Sequence, residues 1–236
     1  MSLHSGRSNM ARNFTFGQGR AGLRILETNA EISKKISRII TREINESLVA
    51  TAKFLQREVP PILERYLRTS PEILSLSEGL LQAEFGLDDD PTPQLISAIM
   101  SSFEINVTKA RGGSNSRLGS IKLQFSKQDY ADLLANDWAF QDIESYLDGS
   151  YRGSIPWLDW LLNYGDTIII ANYGVEIGEF GRTGLAHMVK KAAPYKVNSN
   201  YSGVATDNFI TRSVFAASSD LNKVFIQARE KFIKGR

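Results

Sequence analysis

Ser154-Ile155-Pro156-Trp157-Leu158-Asp159-Trp160-Leu161-Leu162-Asn163-Tyr164-Gly165-Asp166 runs directly into Thr167-Ile168-Ile169-Ile170-Ala171-Asn172-Tyr173-Gly174-Val175, the most apolar part of this 236-residue chain. Ser154 suits a helix cap, Pro156 is tolerated in a first turn, and Gly165 suits the left-handed residue that ends a helix. Trp157, Trp160, Leu161 and Tyr164 recur at three- and four-residue spacing, so a short helix buries one face and feeds a strand. The triple isoleucine suits a strand covered on both sides. Two tryptophans and a tyrosine place the core here.

Outward from this centre, the N-terminal side holds a long helix. Thr28-Asn29-Ala30-Glu31 reads as a capping box, after which Ile32, Ile36, Ile39, Ile40, Ile44, Leu48, Ala52, Leu55 and Val59 repeat at helical spacing. Pro60-Pro61 should end it after some 30 residues, roughly 45 Å. Its single apolar stripe is expected to pack inside the same molecule, since the spacing is not a sustained heptad. Ser70-Pro71 starts a second helix, carrying Ile73, Leu76, Leu80, Leu81 and Phe85 to Gly86. Asp88-Asp89-Asp90 lacks calcium-loop spacing and reads as a solvated turn before a helix capped at Thr92.

Phe103, Ile105 and Val107 alternate with polar residues, as do Ile121, Leu123 and Phe125, around the glycine-rich tip Arg111–Arg117. This is a β-hairpin. Ser126–Asp129 should cap a helix through Tyr130, Leu133 and Leu134, with Trp138, Phe140, Ile143 and Tyr146 continuing a helical-looking stretch to Gly149. Residues 167–177 form a third strand, expected to pair with the hairpin. Residues 178–205 read as a long interfacial loop. Thr206-Asp207-Asn208 caps a C-terminal helix bearing Phe209, Ile210, Val214, Leu221, Val224, Phe225, Ala228 and Phe232, with Lys231 and Lys234 at its negative end. The fold class is therefore α+β, with long N-terminal and C-terminal helices packed on a small, mainly antiparallel sheet. The division is an extended basic arm, 1–27, and a single domain, 28–236.

Composition is ordinary for a globular chain, 42% hydrophobic and 23% charged, and needs no staples. There are no cysteines, hence no disulfides or thiolate metal sites. No apolar run approaches the roughly 20 residues of a membrane span, and the first residues lack the apolar stretch of a signal peptide. A soluble protein that does not enter that secretory route is expected. Net charge is +2, but residues 1–70, 71–150 and 151–236 carry +6, −8 and +4. Opposite potentials on the first two regions can register one copy against the next. They can equally decorate solvated helix faces. The arm has Arg7, Arg12, Arg20 and Arg24 and too few apolar groups to fold alone, so a neighbouring subunit is its expected holder.

Candidates for chemistry are sparse. His4 lies in the arm and His187 in the glycine-rich segment, with no His-x-x-x-His pair, nucleophile elbow or cysteine to complete a site. Asp159 and Asp166 bracket a helix and read as surface and turn residues. Gly181-Arg182-Thr183-Gly184 offers backbone amides and a guanidinium suited to phosphate, without a Walker pattern around it. It suits a subunit or DNA-backbone contact better than a nucleotide.

Leu80-Leu81-Gln82-Ala83-Glu84-Phe85-Gly86-Leu87, the tryptophan segment from Ser154, Gly165-Asp166 with its isoleucines, Gly181-Arg182-Thr183-Gly184-Leu185-Ala186-His187-Met188 and Ala205-Thr206-Asp207-Asn208-Phe209-Ile210-Thr211-Arg212 together resemble a block found in virion proteins of tailed bacteriophages. The group is that of neck, tail-completion and minor tail components, and the resemblance spans roughly residues 70–215. It implies a structural, non-enzymatic subunit without cofactor or metal, assembled in the host cytoplasm into the virion. Copies would form a ring at the head–tail junction or tail end around the DNA channel, beside other neck, connector or tail proteins and away from membranes. Arg7, Arg12, Arg20, Arg24, Arg111, Arg117, Arg182, His187, Lys190 and Lys191 are the interface or channel candidates. A channel for moving DNA must not grip it, because binding rises steeply with phosphate contacts. Two other readings stand behind this one. They are a nucleic-acid-binding module using the arm and loop, and an enzyme handling phosphate through Arg182 and His187.

Overall fold

The computed structural model describes residues 28–113, 116–125, 130–144, 151–179, 181, 183–190 and 194–234. The basic arm, the Ser126–Asp129 cap, Tyr146 and Gly149 lie outside the described residues.

The first helix, α1 (Asn29–Arg68), opens on the expected capping box: Glu31 N–H donates to Thr28 Oγ1 at 3.2 Å, and Thr28 N–H donates to the Glu31 carboxylate at 2.7 Å. It does not stop at the prolines. It runs on through Pro60 and Pro61 for 40 residues, about 60 Å. A proline inside a helix costs about 3 kcal/mol. Val59, Leu63 and Leu67 bury their side chains on either side of the pair, and at roughly 1.5–3 kcal/mol each they outweigh that cost.

The helix expected over 70–86 is two: α2 (Pro71–Glu78), capped by Ser70, and α3 (Leu80–Phe85). Gly79 between them is extended, and a Cβ there would come within 2.8 Å of Ser75 Cα. Ser75 Oγ accepts from Leu81 N–H, which restarts the helix. α4 (Thr92–Ser101) follows the aspartate turn, whose Asp90 accepts from Thr92 N–H at 2.9 Å. Thr92 is thus the first helical residue and not the cap.

Among the described residues six strands form three separate antiparallel hairpins. The first, β1 (Phe103–Thr108) with β2 (Ser120–Phe125), has the register Ile105↔Leu123. After the short α5 (Ala131–Leu134) and a 3-10 turn at Asp137–Ala139, the stretch read as helical becomes β3 (Gln141–Glu144). It pairs with β4 (Tyr151–Ile155), so Ser154 belongs to a strand and caps nothing.

α6 (Trp157–Asn163) begins after Pro156 and ends at Gly165 in the left-handed region, φ +56°. Its core face is Trp157, Leu158, Leu161 and Leu162; Trp160 is half-buried and Tyr164 exposed. Trp157 Nε1 donates to the Trp138 carbonyl at 3.1 Å, which satisfies the one polar atom of a fully buried ring.

The isoleucine run is not a doubly covered strand: Ile168 is exposed, and only Ile169 and Ile170 bond to Tyr195. The strand proper, β5 (Tyr173–Ile177), pairs with β6 (Ala186–Lys190) from inside the expected loop, not with the first hairpin. Nearby segments pair at the smaller loss of chain entropy.

Asn208 caps α7 (Phe209–Ala216), and the C-terminal helix then breaks at Ala217 before α8 (Ser218–Arg229) and a π turn, Glu230–Lys234. Two cores result. The larger joins α2, α3, α4 and α6 with Phe209 and Ile210. The smaller joins Leu55, Val59 and Leu63 of α1 to Ala217, Val224 and Ala228. No described helix is long and apolar enough to cross a membrane.

Candidate functional site

Every buried residue of α1 lies at or beyond Thr51. Before it, Ile36, Ile39 and Ile40 are 51–52% exposed, and Ile44 and Val49 are exposed too. A four-residue repeat advances 400° round a helix turning 100° per residue, so the stripe drifts about 40° at each step. By Ala52 it points about 160° from Ile36. The isoleucines therefore leave the core side and form a separate face.

The first hairpin's distal end supports this half of α1. Asn45 clasps it, accepting from Ala110 N–H at 2.7 Å and donating to the Ala110 carbonyl at 3.2 Å. Gly112 allows close approach, since a Cβ there would lie 2.5 Å from Thr41 Oγ1 and 2.6 Å from Ser37 Oγ. Between helix and tip runs an open groove of about 1280 Å3. Lys34, Arg38, Arg42, Lys53 and Lys109 line it against one carboxylate, Glu46. Lys34, Arg38 and Arg42 step along one row at about 6 Å intervals. The Arg42–Glu46 pair is long, 3.9 Å, and exposed on both sides, so it neutralises little of the row.

The expected interface residues do not gather into one site. Arg7, Arg12, Arg20, Arg24, Arg182 and Lys191 lie outside the described residues. Arg111 and Arg117 exchange backbone hydrogen bonds of 2.9 Å across the exposed hairpin tip, beside the groove. His187 and Lys190 belong to β6, His187 facing Glu176 in register. That hairpin sits on α3, whereas the first sits on α1. His187 is thus a half-buried strand residue, and Gly181, Thr183 and Gly184 lie between the two strands, with Gly184 N–H donating to the Gly181 carbonyl. Asp159 accepts from Asn163 within α6, and Asp166 pairs with Lys196 at 3.4 Å, so neither faces the other as an acid pair. Among the described residues no three His, Asp or Glu side chains are placed to hold a metal ion.

Two buried polar sites escaped the sequence reading. Glu84 Oε2 and the Tyr195 hydroxyl are buried without hydrogen-bond partners among the described residues. Burial pushes the Glu84 carboxyl up to about 7. Tyr195 is raised by burial and then by the charge of Glu84. Arg212 reaches the buried carboxylate of Glu72 at 2.7 Å and also holds Asp207 and the Ser202 carbonyl. The Asp207-Asn208 to Arg212 motif is in this way a clasp between α7 and α2. Its Asn208 side chain, fully buried, also meets the Tyr130 hydroxyl and the Val204 carbonyl. Residues over a hundred positions apart carry no mutual signal in a single sequence.

Comparison with known protein families, curated proteins and solved structures finds no match to this chain.

Proposed function

We propose that this chain is a structural subunit of a tailed-bacteriophage neck or tail, repeated in a ring around the DNA channel beside other virion proteins. The observation that carries this reading is the bare apolar face of α1 between Ile36 and Ile44. A contiguous apolar face on a charged helix marks a contact with another macromolecule. The phage assignment rests on the sequence resemblance; the helix supports assembly.

A second reading, a nucleic-acid-binding module, draws support from the cation row of the groove. Light scattering of the purified chain, at low and high salt and with or without duplex DNA, separates the two. A discrete oligomer without DNA is the expected result. A monomer that binds DNA in a salt-sensitive manner overturns the structural reading.

A further inference from the structure

The groove and the isoleucines occupy different sides of α1, so each calls for its own partner. Counted round the helix from Ile40 at about 100° per residue, Ile36 and Ile44 lie about 40° to either side and Ile39 about 100° away. None of the four lines the groove. The hairpin tip bounds one edge of this face, where Gly112 approaches Ser37 and Thr41. Leu118, 85% exposed, precedes Gly119, which lies against Leu48 on that same edge. The opposite edge is open and carries both signs of charge. Lys35 and Glu46, both exposed, follow about 40° and 20° beyond Ile39. Half-buried Glu43 stands among the isoleucines, between the directions of Ile36 and Ile39.

We infer that the Ile36–Ile44 face is the contact with the same face of a second copy, laid antiparallel on it with Ile40 at the two-fold axis. The inference rests on the assembly reading and names its contact. Turned end for end about Ile40, the face is its own complement: Ile36 meets the partner's Ile44, and Ile40 meets the partner's Ile40. In an antiparallel pair like edges lie together. Lys35, five residues before the axis, then comes level with the partner's Glu46 to about 1.5 Å and with the partner's Glu43 to about 3 Å. The two-fold axis makes this charge match twice, which sets register as well as attraction. A parallel pair would set Lys35 and Glu46 against the hairpin edge, where Ser37 and Thr41 carry no charge. Nucleic acid would leave the isoleucines in water, and a lipid surface would bury Glu43 among acyl chains. From Ile32 to Leu48 the face is a strip about 25 Å long and 10 Å wide, less than the roughly 800 Å2 per partner of a standard interface, so pairing belongs to micromolar and higher concentrations. An isologous contact closes at two copies, and a larger ring joins such pairs through a second surface. The number of copies is therefore even.

The test is sedimentation of the full chain, from micromolar to submillimolar concentration, beside Ile40→Glu, Lys35→Glu and Glu46→Lys, with native mass spectrometry to count copies. All three positions are exposed, and circular dichroism checks that each variant folds. Ile40→Glu sets two carboxylates together at the axis, and should weaken pairing roughly a hundredfold or more and halve the number of copies. Lys35→Glu and Glu46→Lys should each weaken self-pairing about tenfold, because like charges then face each other twice at an exposed edge. Mixed together, these two should give a one-to-one heterodimer, since each supplies the sign the other lacks. Both changes in one chain should recover most of the natural pairing.

An oligomer that Ile40→Glu leaves intact, or one with an odd number of copies, overturns this contact and leaves the assembly reading standing. Charge variants that pair as well as the natural chain, when Ile40→Glu does not, overturn the antiparallel arrangement. A natural chain that is monomeric at every salt and protein concentration overturns both the contact and the assembly reading. Flotation of the natural chain with anionic phospholipid vesicles, lost in Ile40→Glu, makes a lipid surface the occupant and overturns the second copy. Deletion of residues 1–27 that leaves a monomer newly binding an apolar dye identifies the arm as the cover, with the same consequence.

Discussion

The two halves of α1 share one helix and one kind of apolar repeat, yet meet opposite fates. From Leu55 to Leu63 the repeat is buried against α7, α8 and the first hairpin, and Leu67 enters the larger core; from Ile36 to Ile44 it faces outward. Spacing in a sequence tells which residues share a face. It does not tell what covers the face. The drift of the stripe is readable once angles are summed, and it separates a half that stabilises the monomer from a half left for another molecule.

The sharpest way to break this comparison is to truncate matched positions. Leu63→Ala removes a core side chain beside the prolines and should cost about 2–5 kcal/mol in urea unfolding. Ile40→Ala should change monomer stability by less than about 0.5 kcal/mol while weakening any oligomer. Equal costs in the monomer would mean that the two halves are not distinct.

Next in size is Arg212→Ala. It strands the Glu72 carboxylate, only 4% exposed, inside the body to which the C-terminal half of α1 is fastened. The expected loss is about 3 kcal/mol, the low end for a broken buried pair because Arg212 itself is partly in water. Replacement by lysine should recover only part of it, since the guanidinium also holds Asp207 and the Ser202 carbonyl.

Gly112→Val acts on the other half. Its side chain collides with Ser37 and Thr41, so the hairpin tip must lift from α1 at a cost of about 1–3 kcal/mol. Hydrogen exchange should speed at the Ala110 amide, which Asn45 protects, and stay unchanged around Leu63.

The smallest effect is a pH dependence confined to the body. The Glu84 carboxyl is raised in the folded chain from its ordinary value near 4.5 to about 7. Protonated Glu84 favours the folded state, so its contribution is complete below about pH 4.5 and is lost as pH rises through 7. Glu84→Gln should flatten this part of the profile of urea midpoints against pH. Water reaching the partly exposed side chain limits the size of the change. An unchanged slope would mean that Glu84 titrates normally.

How much was legible depends on how far each signal reaches. The Thr28–Glu31 box, the Ser70-Pro71 start, the Asn208 cap and the Phe103–Phe125 hairpin were all readable, because each depends on residues close in sequence. The tryptophan helix was placed correctly in the core, though its face was misjudged at Tyr164. Gly79 reads as an ordinary helix position and instead divides two helices. The triple isoleucine reads as a doubly covered strand, whereas Ile168 is exposed, Ile169 packs partly buried against the larger core, and Ile169 and Ile170 bond to Tyr195. Of the candidate site residues, Arg111 and Arg117 lie beside the groove, but Lys34, Arg38, Arg42, Lys53 and Lys109, which line it, are not among the candidates.

The sequence alone determined an α+β chain, its long capped N-terminal helix, its first hairpin, its aromatic core segment and its charge asymmetry. These follow from capping, periodicity and turn chemistry, which act over a few residues. The tertiary structure alone decided that α1 passes through Pro60 and Pro61, that Glu72 meets Arg212, and that Ile36 to Ile44 stay exposed. Each of these outcomes is set by how much surface is buried against residues remote in the chain. That balance is struck only when the whole molecule is assembled.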